Sequence, residues 1–379
     1  MVLRNPRADR ISYNCVFGFP SGTFPAITMI HRRCLLLIPA LLTLSGCGSS
    51  NSGTADPGTP ATPIPPPPAS GSTAPAASGG GTFTVGLLTN GSLSDSGWNS
   101  LAGAGLKQME TELGAKTSHQ SAGAAEAEES LRGFAREKTR LVFAHGSEYG
   151  DAAKRVAAEY PDTIFVVSSG EVQGDNVASL KFDLGEAAYL AGMAAAALSK
   201  SGKAGQIGGE SFPPVKQAFE LFEKGGKAIN PKFSTSITYL GNWSDANAAK
   251  EKALGFIRAG ADILFQNADA AGEGVFLAAE ENRAKNVIVI GSNANQNDLK
   301  PEVIAASAVL DVAKTFMTVA RDVQGGKFKG GIYLENLKSS NVYLAINEKF
   351  KSRIPADVQK KIQEAEAAIR SGALKLTSG

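Results

Sequence analysis

The sequence of 379 residues has little cysteine and proline over most of its length. All three cysteines lie within the first 47 residues, and twelve of the 18 prolines lie within the first 81. Residues 82–379 therefore contain no cysteine, which excludes disulfides, catalytic thiolates and cysteine-ligated zinc from this part of the chain. The same boundary separates a leader from a body of about 300 residues, which is long enough for two domains.

The body also lacks an excess of positive charge. Five of the 38 basic residues and two of the 36 acidic residues fall within residues 1–81, so the formal charge of +2 for the whole chain becomes −1 for the body. Domains that bind nucleic acid carry a strong basic excess. The composition therefore excludes a nucleic-acid partner.

Sequence motifs of common catalytic and cofactor sites are absent as well. The chain contains neither G-x-x-x-x-G-K-[ST] nor G-x-G-x-x-G, so neither a phosphate loop nor a dinucleotide fingerprint is predicted. His145 and Ser147 are candidates for a catalytic pair, but no G-x-S-x-G turn surrounds the serine. We expect Ser147 to cap a helix instead, and we predict neither enzymatic activity nor a cofactor or metal.

The leader has the features of a lipoprotein signal. No secretion signal requires residues 1–28, which we interpret as an extension that is not native. Residues 29–47 combine a basic start, the apolar run Leu35–Leu44 and a terminal Leu-Ser-Gly-Cys. The run is too short to span a membrane, and its end resembles a bacterial lipobox, whose cysteine accepts diacylglycerol. We therefore predict a signal peptide with Cys47 as the lipid anchor; an ordinary secretory signal is the alternative.

Residues 48–81 are rich in serine, glycine, proline, alanine and threonine. A segment of this composition buries too little apolar surface to fold by itself. We predict a disordered tether that is stiffened by the run Pro65–Pro68. Together with the anchor, it would hold the body at the extracytoplasmic face of a cell membrane.

The body alternates short apolar runs with stretches of helical spacing. Nearly continuous runs of valine, isoleucine and leucine, such as Ile164–Val167, are typical of strands that are buried on both faces of a parallel sheet. The repeated βα units predict an α/β fold with two lobes, each a parallel sheet flanked by helices. We assign residues 82–183 plus 293–330 to lobe 1 and residues 184–292 plus 331–379 to lobe 2.

Two tryptophans, Trp98 and Trp243, lie in loops that follow predicted strands. Ligands of open parallel sheets bind beyond the carboxyl ends of the strands, and polar residues such as Asp95, Asn99 and Asn242 stand beside the tryptophans. Packing at a helix start is one interpretation. Because the tryptophans occupy corresponding ends of the two lobes, we favour another, in which aromatic walls close on a flat ligand from both sides.

The body resembles the basic membrane protein family of lipoproteins, which includes the purine-nucleoside receptors of ABC importers. The resemblance runs from about residue 82 to about residue 346 and rests on segments such as LSDSGWN (93–99), VFAHGSEYGDAAKRVAAEYPDTIFVV (142–167), YLGNWSDANAAKEKAL (239–254) and GSNANQND (291–298). It implies a two-lobed periplasmic-binding-protein fold of type I, hinge closure on a ligand, and a permease and an ATPase as partners. We expect a monomer.

The resemblance also implies which residues bind the ligand in the cleft between the lobes. They are Asp95, Trp98, Asn99, Gly146, Ser169, Trp243, Asp269 and Asn293. Nucleoside-binding members usually have an aspartate, a D-x-D-Q loop and a lysine where this sequence has Ser169, the amides Asn293 and Asn295, and Leu310. Since acids and a base are replaced together, no buried charge is left unpaired. We therefore expect a neutral or weakly basic planar ligand.

These observations together predict a lipid-anchored solute-binding protein of an ABC importer. Its ligand would be a small planar polar molecule, a purine nucleoside or nucleobase. Two alternatives stay open. The chain could present its ligand to a membrane receptor as a sensor subunit, or it could process nucleosides as an enzyme, although the amide loop argues against the second.

Overall fold

The computed structural model describes residues 82–95 and 97–377. The predictions for residues 1–81, which include the signal peptide, the anchor Cys47 and the tether, lie outside the described residues. Within the described residues, no helix combines the length and the apolar character needed to cross a membrane.

Strands and helices alternate along the described chain, as the apolar periodicity predicts. In order they are β1 Thr84–Thr89, α1 Trp98–Leu113, β2 Lys116–Ser121, α2 Ala127–Arg136, β3 Leu141–His145, α3 Gly150–Glu159, β4 Ile164–Ser168, β5 Val177–Phe182, α4 Leu184–Leu198, β6 Lys203–Gly208, α5 Pro213–Ile229, β7 Ser234–Tyr239, α6 Ala246–Arg258, β8 Ile263–Asn267, α7 Gly272–Glu281, β9 Ile288–Asn293, β10 Ile304–Leu310, α8 Val312–Gln324, β11 Gly331–Glu335, β12 Val342–Ile346, α9 Glu348–Lys351 and α10 Ala356–Ser371. The sequence does not predict β2 and α2. β2 is a polar strand at the edge of its sheet, largely exposed, and so lacks an apolar run.

The strands form two six-stranded sheets with equivalent order, which confirms the predicted α/β fold with two lobes. The first sheet has the order β11-β5-β4-β3-β1-β2, and the second has the order β12-β10-β9-β8-β6-β7. The first is parallel throughout, but β12 pairs antiparallel with β10. The chain leaves β11 at its carboxyl end and enters β12 beside the carboxyl end of β10, so β12 has to run away from that end.

The strand pairing differs from the lobe boundaries that the sequence predicts. Residues 293–330 are assigned to lobe 1, yet β10 pairs with β9 in the second sheet. Residues 331–379 are assigned to lobe 2, yet β11 pairs with β5 in the first sheet. β10 is buried between β12 and β9, and β11 lies at the edge of the first sheet. Apolar strands of this kind would fit either sheet, so their sequences alone do not reveal which lobe they join.

The chain passes between the lobes three times, and two of these crossings are equivalent. Asp183 directly precedes α4 and Asp311 directly precedes α8, and their backbone dihedrals are nearly identical (φ −90°, ψ 71° and φ −89°, ψ 71°). The third crossing, residues 336–341, lies beside both of them. The Asp183 N–H donates to Glu335 O at 2.8 Å, and the Asp311 N–H donates to Asn341 O at 2.7 Å. These hydrogen bonds join the three crossings into one hinge.

Helices cover both faces of each sheet and close the two cores. In the first lobe, Phe316 of α8 stacks on Phe143 of β3 with ring centroids 3.8 Å apart. In the second lobe, the alanine-rich helix α4 is buried along most of its length. It packs closely on α5, where Gly225 leaves room for the backbone of Tyr189. This packing sets the position of Leu184 at the start of α4.

Replacing Gly225 with alanine is expected to destabilise the second lobe. A Cβ at this position would lie 1.9 Å from the carbonyl oxygen of Tyr189, a backbone atom that can move only if α4 and α5 separate. We expect a loss of about 1–3 kcal/mol, measured as a lower melting temperature in thermal unfolding.

Gly133→Ala is the matched control for this substitution. Gly133 lies inside α2, and no atom lies within 4 Å of a Cβ placed there. Removing a helical glycine should therefore stabilise the protein by about 0.5–1 kcal/mol. If G225A and G133A melted alike, close packing of α4 on α5 would not limit stability.

Candidate functional site

The carboxyl ends of strands from both sheets open into one cleft of about 630 Å³, a volume that includes open solvent at its mouth. The lining residues end a strand or lie in the loop or helix start that follows one, as expected for ligand sites of parallel sheets. Asn90, Trp98, Gly146, Ser147, Glu148, Ser169 and Phe182 come from the first lobe, and Leu184, Phe212, Pro214, Val215, Trp243, Asn267, Asp269, Asn293 and Leu310 come from the second.

Six of the eight ligand-binding residues that the sequence predicts lie at this cleft. They are Trp98, Gly146, Ser169, Trp243, Asp269 and Asn293. The other two, Asp95 and Asn99, are buried at the start of α1 instead. The cleft therefore brings together both tryptophans and polar groups from both lobes.

Asp95 uses its carboxylate to cap the first turn of α1. Its Oδ1 accepts hydrogen bonds from the N–H groups of Gly97 at 3.0 Å and Ser100 at 2.9 Å, and its Oδ2 accepts from the N–H of Asn99 at 2.8 Å. An acid at a helix start satisfies N–H groups that have no partner within the helix. Asp95 thus fixes the position of α1, and with it the position of Trp98.

The indole ring of Trp98 is held from behind by His145. The two rings are stacked, with centroids 3.9 Å apart and an angle of 17° between their planes. Trp98 Nε1 donates to His145 O at 3.4 Å, and the ring of Phe182 lies perpendicular to the indole with centroids 6.1 Å apart. One face of the indole is therefore covered by protein, and the orientation of the ring is fixed.

His145 supports Trp98 and is not paired with Ser147. Its Nε2 donates to Trp98 O at 3.0 Å, which leaves Nδ1 to accept from Ser168 Oγ at 2.8 Å. Burial lowers the pKa of His145 to about 3, so the ring is neutral. Ser147, for which helix capping is predicted, lies instead inside the short 3-10 turn Ser147–Tyr149.

Trp243 lies on the opposite wall of the cleft, against the backbone of the second lobe. A Cβ at Gly209 would lie 2.1 Å from the indole ring, so this glycine is what lets the ring approach the chain. Phe212 contacts the ring at a tilt, with centroids 5.8 Å apart. The polar neighbours of Trp243 stabilise the loop: Asn242 Oδ1 accepts from the N–H groups of Ser244 at 3.0 Å and Asp245 at 2.7 Å.

Asp269 makes a hydrogen bond across the cleft. Its Oδ1 accepts from the Trp98 N–H of the other lobe at 3.2 Å and from Asn293 Nδ2 at 3.2 Å. Asn293 Nδ2 also lies 3.4 Å from Asn267 Oδ1. The carboxylate thus meets the amino end of α1, where the helix dipole favours negative charge.

Three lining residues adopt left-handed backbone conformations that side chains normally avoid. The φ angles are 56° at Ser169, 48° at Asp269 and 64° at Asn293. Such conformations cost free energy and are concentrated at functional sites. Asn293 ends a strand, Ser169 directly follows one and Asp269 lies two residues after one, and the turn directs the chain along the wall of the cleft.

Burial changes the acidity of two carboxyl groups at the cleft. The pKa of Asp269 is raised to about 7, mainly by burial and also by the negative charges of Asp95 and Glu148, against the opposing effects of the Trp98 N–H and the Asn293 amide. Burial also raises the pKa of Glu148, while a hydrogen bond of 2.8 Å from Asn90 Nδ2 opposes the rise. Both acids therefore lie in an environment that disfavours negative charge.

The sequence does not reveal some of the lining residues. Asn90 and Phe212 lie in loops that follow strands and Asn267 ends β8, but side-chain type alone does not separate them from ordinary residues at such positions. Of the two other positions at which the sequence departs from the nucleoside-binding pattern, Leu310 and Asn295, only the first lines the cleft. Asn295 is exposed and its Oδ1 accepts from the Asn297 N–H at 3.3 Å. In the described part of the chain, no cluster of three or more His, Cys, Asp or Glu side chains is placed to hold a metal ion.

Known proteins resemble this chain over the part that contains the cleft. A family model described as ABC transporter substrate-binding protein, PnrA-like, matches residues 82–373. A purine-binding protein of Brucella abortus is 27% identical over 299 residues, which cover 78% of this chain and 83% of that protein. The transcriptional activator protein med of Bacillus subtilis is 25% identical over 333 residues (87% and 94%), and a nucleoside-binding ABC transporter protein of Lactococcus lactis is 29% identical over 255 residues (63% and 71%).

A solved structure shares the fold. The structure of an ABC transporter solute-binding protein from Aeropyrum pernix aligns with a TM-score of 0.73 and 24% identity, covering 78% of this chain and 94% of that one. At this identity the likeness concerns the fold, with its two lobes and the cleft between them.

Asp269→Asn is expected to remove a pH dependence of stability. With a raised pKa in the folded protein and an ordinary value near 3.8 in the unfolded chain, the folded state binds the additional proton. The stability that this proton contributes is fully present below about pH 4 and is lost as the pH rises through about 7. At pH 8 the variant should exceed the parent by about 1–2 kcal/mol in unfolding free energy, measured by urea unfolding.

At pH 4 the two proteins should be of similar stability, because both carry a neutral side chain at this position. The asparagine keeps an oxygen that can accept the Trp98 N–H. An equal difference in stability at both pH values would show that Asp269 does not titrate between them.

Proposed function

Because this chain belongs to the family of PnrA-like ABC transporter substrate-binding proteins, we propose that its cleft captures a purine nucleoside or nucleobase for delivery to a membrane permease. The observation that carries the proposal is the position of one tryptophan from each lobe, Trp98 and Trp243, at the same cleft. The names of two relatives, a purine-binding and a nucleoside-binding protein, support the same class of ligand.

In this proposal, the ligand ring lies between the two indoles. Stacking of a base on an aromatic ring contributes about 1–3 kcal/mol. The stack of Trp98 on His145 keeps its ring oriented without a ligand, so little freedom is lost when the ligand binds. The second indole arrives from the other lobe, and closure about the hinge therefore completes the site.

Amide and hydroxyl side chains would recognise the edges of the ring. Asn267 and Asn293 come from the second lobe and Ser169 from the first. An amide offers both a donor and an acceptor, which matches the mixed edges of a purine. Contacts that need both lobes at once bind only the closed state, so the ligand shifts the protein towards closure.

The leader would attach this receptor to the membrane. We propose that Cys47 carries the lipid and that residues 48–81 give the body reach towards the permease. The proposal rests on the terminal Leu-Ser-Gly-Cys of the apolar segment and on the composition of the residues that follow it.

Cys47→Ala is expected to prevent stable lipid attachment. The variant should appear as soluble protein or as an uncleaved precursor, whereas the parent should be recovered with the membrane fraction. Cell fractionation followed by immunoblotting distinguishes these forms. Attachment of the variant equal to that of the parent would contradict the lipobox interpretation.

A regulatory role is a second candidate. The match to the transcriptional activator protein med of Bacillus subtilis supports it, because that match covers 87% of this chain. A sensor subunit would use the same cleft but would present the closed form to a receptor. Loss of labelled purine uptake on deletion of the gene would favour import.

Ligand binding is tested first by identifying what the protein retains. Mass spectrometry of small molecules released from freshly purified, denatured protein should reveal a purine nucleoside or nucleobase. Turnover of that compound by the native protein would instead indicate an enzyme. Trp98→Ala and Trp243→Ala should then each weaken its binding by about 1–3 kcal/mol, because each removes one wall of the stack.

Calorimetry measures these affinities, and fluorescence gives a second readout, because the only two tryptophans of the sequence both line the cleft. Leu299→Ala is the matched control, since Leu299 is an exposed apolar residue outside the lining. Wild-type affinity in both tryptophan variants would refute the stacking arrangement.

A further inference from the structure

The lining of the cleft carries negative charge without positive charge beside it. Glu148 lines it from the first lobe and Asp269 from the second. All the lining residues belong to the described part of the chain, and none of them is lysine, arginine or histidine. The hydrogen-bond donors to these two carboxylates are neutral: the amides of Asn90 and Asn293 and the backbone N–H of Trp98.

The charged groups that act on these two carboxyls are acidic as well. The charges of Asp95 and Glu148 act on Asp269, and the charge of Glu210 acts on Glu148; each of these effects raises a pKa. His145, the titratable base behind Trp98, stays neutral because burial lowers its pKa to about 3. The charges that act on these two carboxyls are therefore all negative.

Closure of the lobes brings these negative charges close together. Asp95 and Glu148 belong to the first lobe, whereas Glu210 and Asp269 belong to the second, so the repelling pairs Asp269–Asp95, Asp269–Glu148 and Glu148–Glu210 all act across the cleft. The hydrogen bond from the Trp98 N–H to Asp269 offsets part of the repulsion. A positive charge on the ligand would turn the remaining repulsion into attraction.

The aromatic walls favour the same charge. A cation over the face of an indole ring is attracted by the negative face of its π system, and more so when water is excluded. Trp98 and Trp243 lie on the two lobes, with Phe212 beside the second. A flat ring that carries positive charge would meet indole at its faces and carboxylate at its edges.

We propose that the ligand of this cleft is a planar heterocycle that carries a positive charge, held between the indoles of Trp98 and Trp243 and paired with the carboxylates of Asp269 and Glu148. The inference rests on the proposed function, because it takes the cleft as the place where ligand binds. It adds that the ligand is positively charged. The cleft would then select protonated or N-methylated rings over neutral rings of the same size.

Two isomeric nucleosides test the proposal with the full chain purified in detergent. 1-Methyladenosine is protonated and carries a positive charge at neutral pH, whereas N6-methyladenosine has the same heavy atoms without the proton and its charge. We expect 1-methyladenosine to bind at least about tenfold more tightly in calorimetry at pH 7.5. Its advantage should grow between pH 6 and pH 7.5, because ionisation of Asp269 adds negative charge over this range while the ring keeps its proton.

Isosteric neutral variants assign the preference to the carboxylates. Asp269→Asn and Glu148→Gln should each reduce the affinity for 1-methyladenosine by about tenfold and change that for N6-methyladenosine by less than about threefold. Glu251→Gln, an exposed position on α6 outside the lining, is the control and should leave both affinities unchanged. Thermal unfolding of each variant shows that it is folded.

The outcomes separate this inference from the proposed function. If both isomers bind equally well, the ligand charge is not recognised, while purine binding stands. If neither binds, methylated purine nucleosides are not ligands of the cleft, and mass spectrometry of the released ligand decides the purine proposal. 1-Methylnicotinamide and N-methylnicotinamide then decide the charge question, because they share their heavy atoms and only the first is a cation. Preference for that cation supports the inference, and equal or absent binding of this second pair overturns it.

Discussion

One constraint governs this structure: the carboxyl ends of the strands in both sheets have to face the same cleft. Parallel strands connected by helices place all their following loops at one edge of a sheet. With two such sheets, the chain satisfies the constraint only by crossing between lobes at that edge, where Asp183 and Asp311 adopt matching conformations. The direction of β12 follows from it as well, because a strand that begins at the cleft has to run away from it. The hinge and the ligand site are therefore adjacent for a topological reason.

The two walls of the cleft are held in position in different ways. Trp98 is fixed within its own lobe, because Asp95 caps the helix that begins at it and His145 supports its ring. Asp269 reaches the same helix from the other lobe, and its left-handed backbone shows that this position has a cost. A rigid aromatic wall in one lobe and a strained acid in the other make closure sensitive to what lies between them. Binding and closure are thus parts of one equilibrium.

The sequence predicts much of this structure, and the reasons for its failures are physical. Apolar runs that are buried on both faces reveal central strands such as β3, and the family resemblance is confirmed by the match over residues 82–373. The polar edge strand β2 has no such run, and β11 would fit either sheet. At the site, both tryptophans are predicted, but an acid before a helix can serve as a cap or as a ligand contact, and Asp95 proves to be the cap. Only the folded chain shows that Glu148 and Asp269 line the same cleft.

The selectivity for charge that we propose follows from what surrounds the ligand rather than from any single contact. A neutral purine can stack between two indoles and bond to amides, but it leaves the carboxylates of the two lobes to repel each other through a medium of low dielectric. Proton uptake by Asp269, whose pKa lies at about 7, relieves that repulsion without a ligand charge. A cationic ring relieves it directly and keeps Asp269 ionised. Protonated Asp269 therefore lets the cleft close on a neutral ring at low pH, and ionised Asp269 favours a cationic ring as the pH rises. The proton and the positive charge of the ligand thus compete for the carboxylate of Asp269.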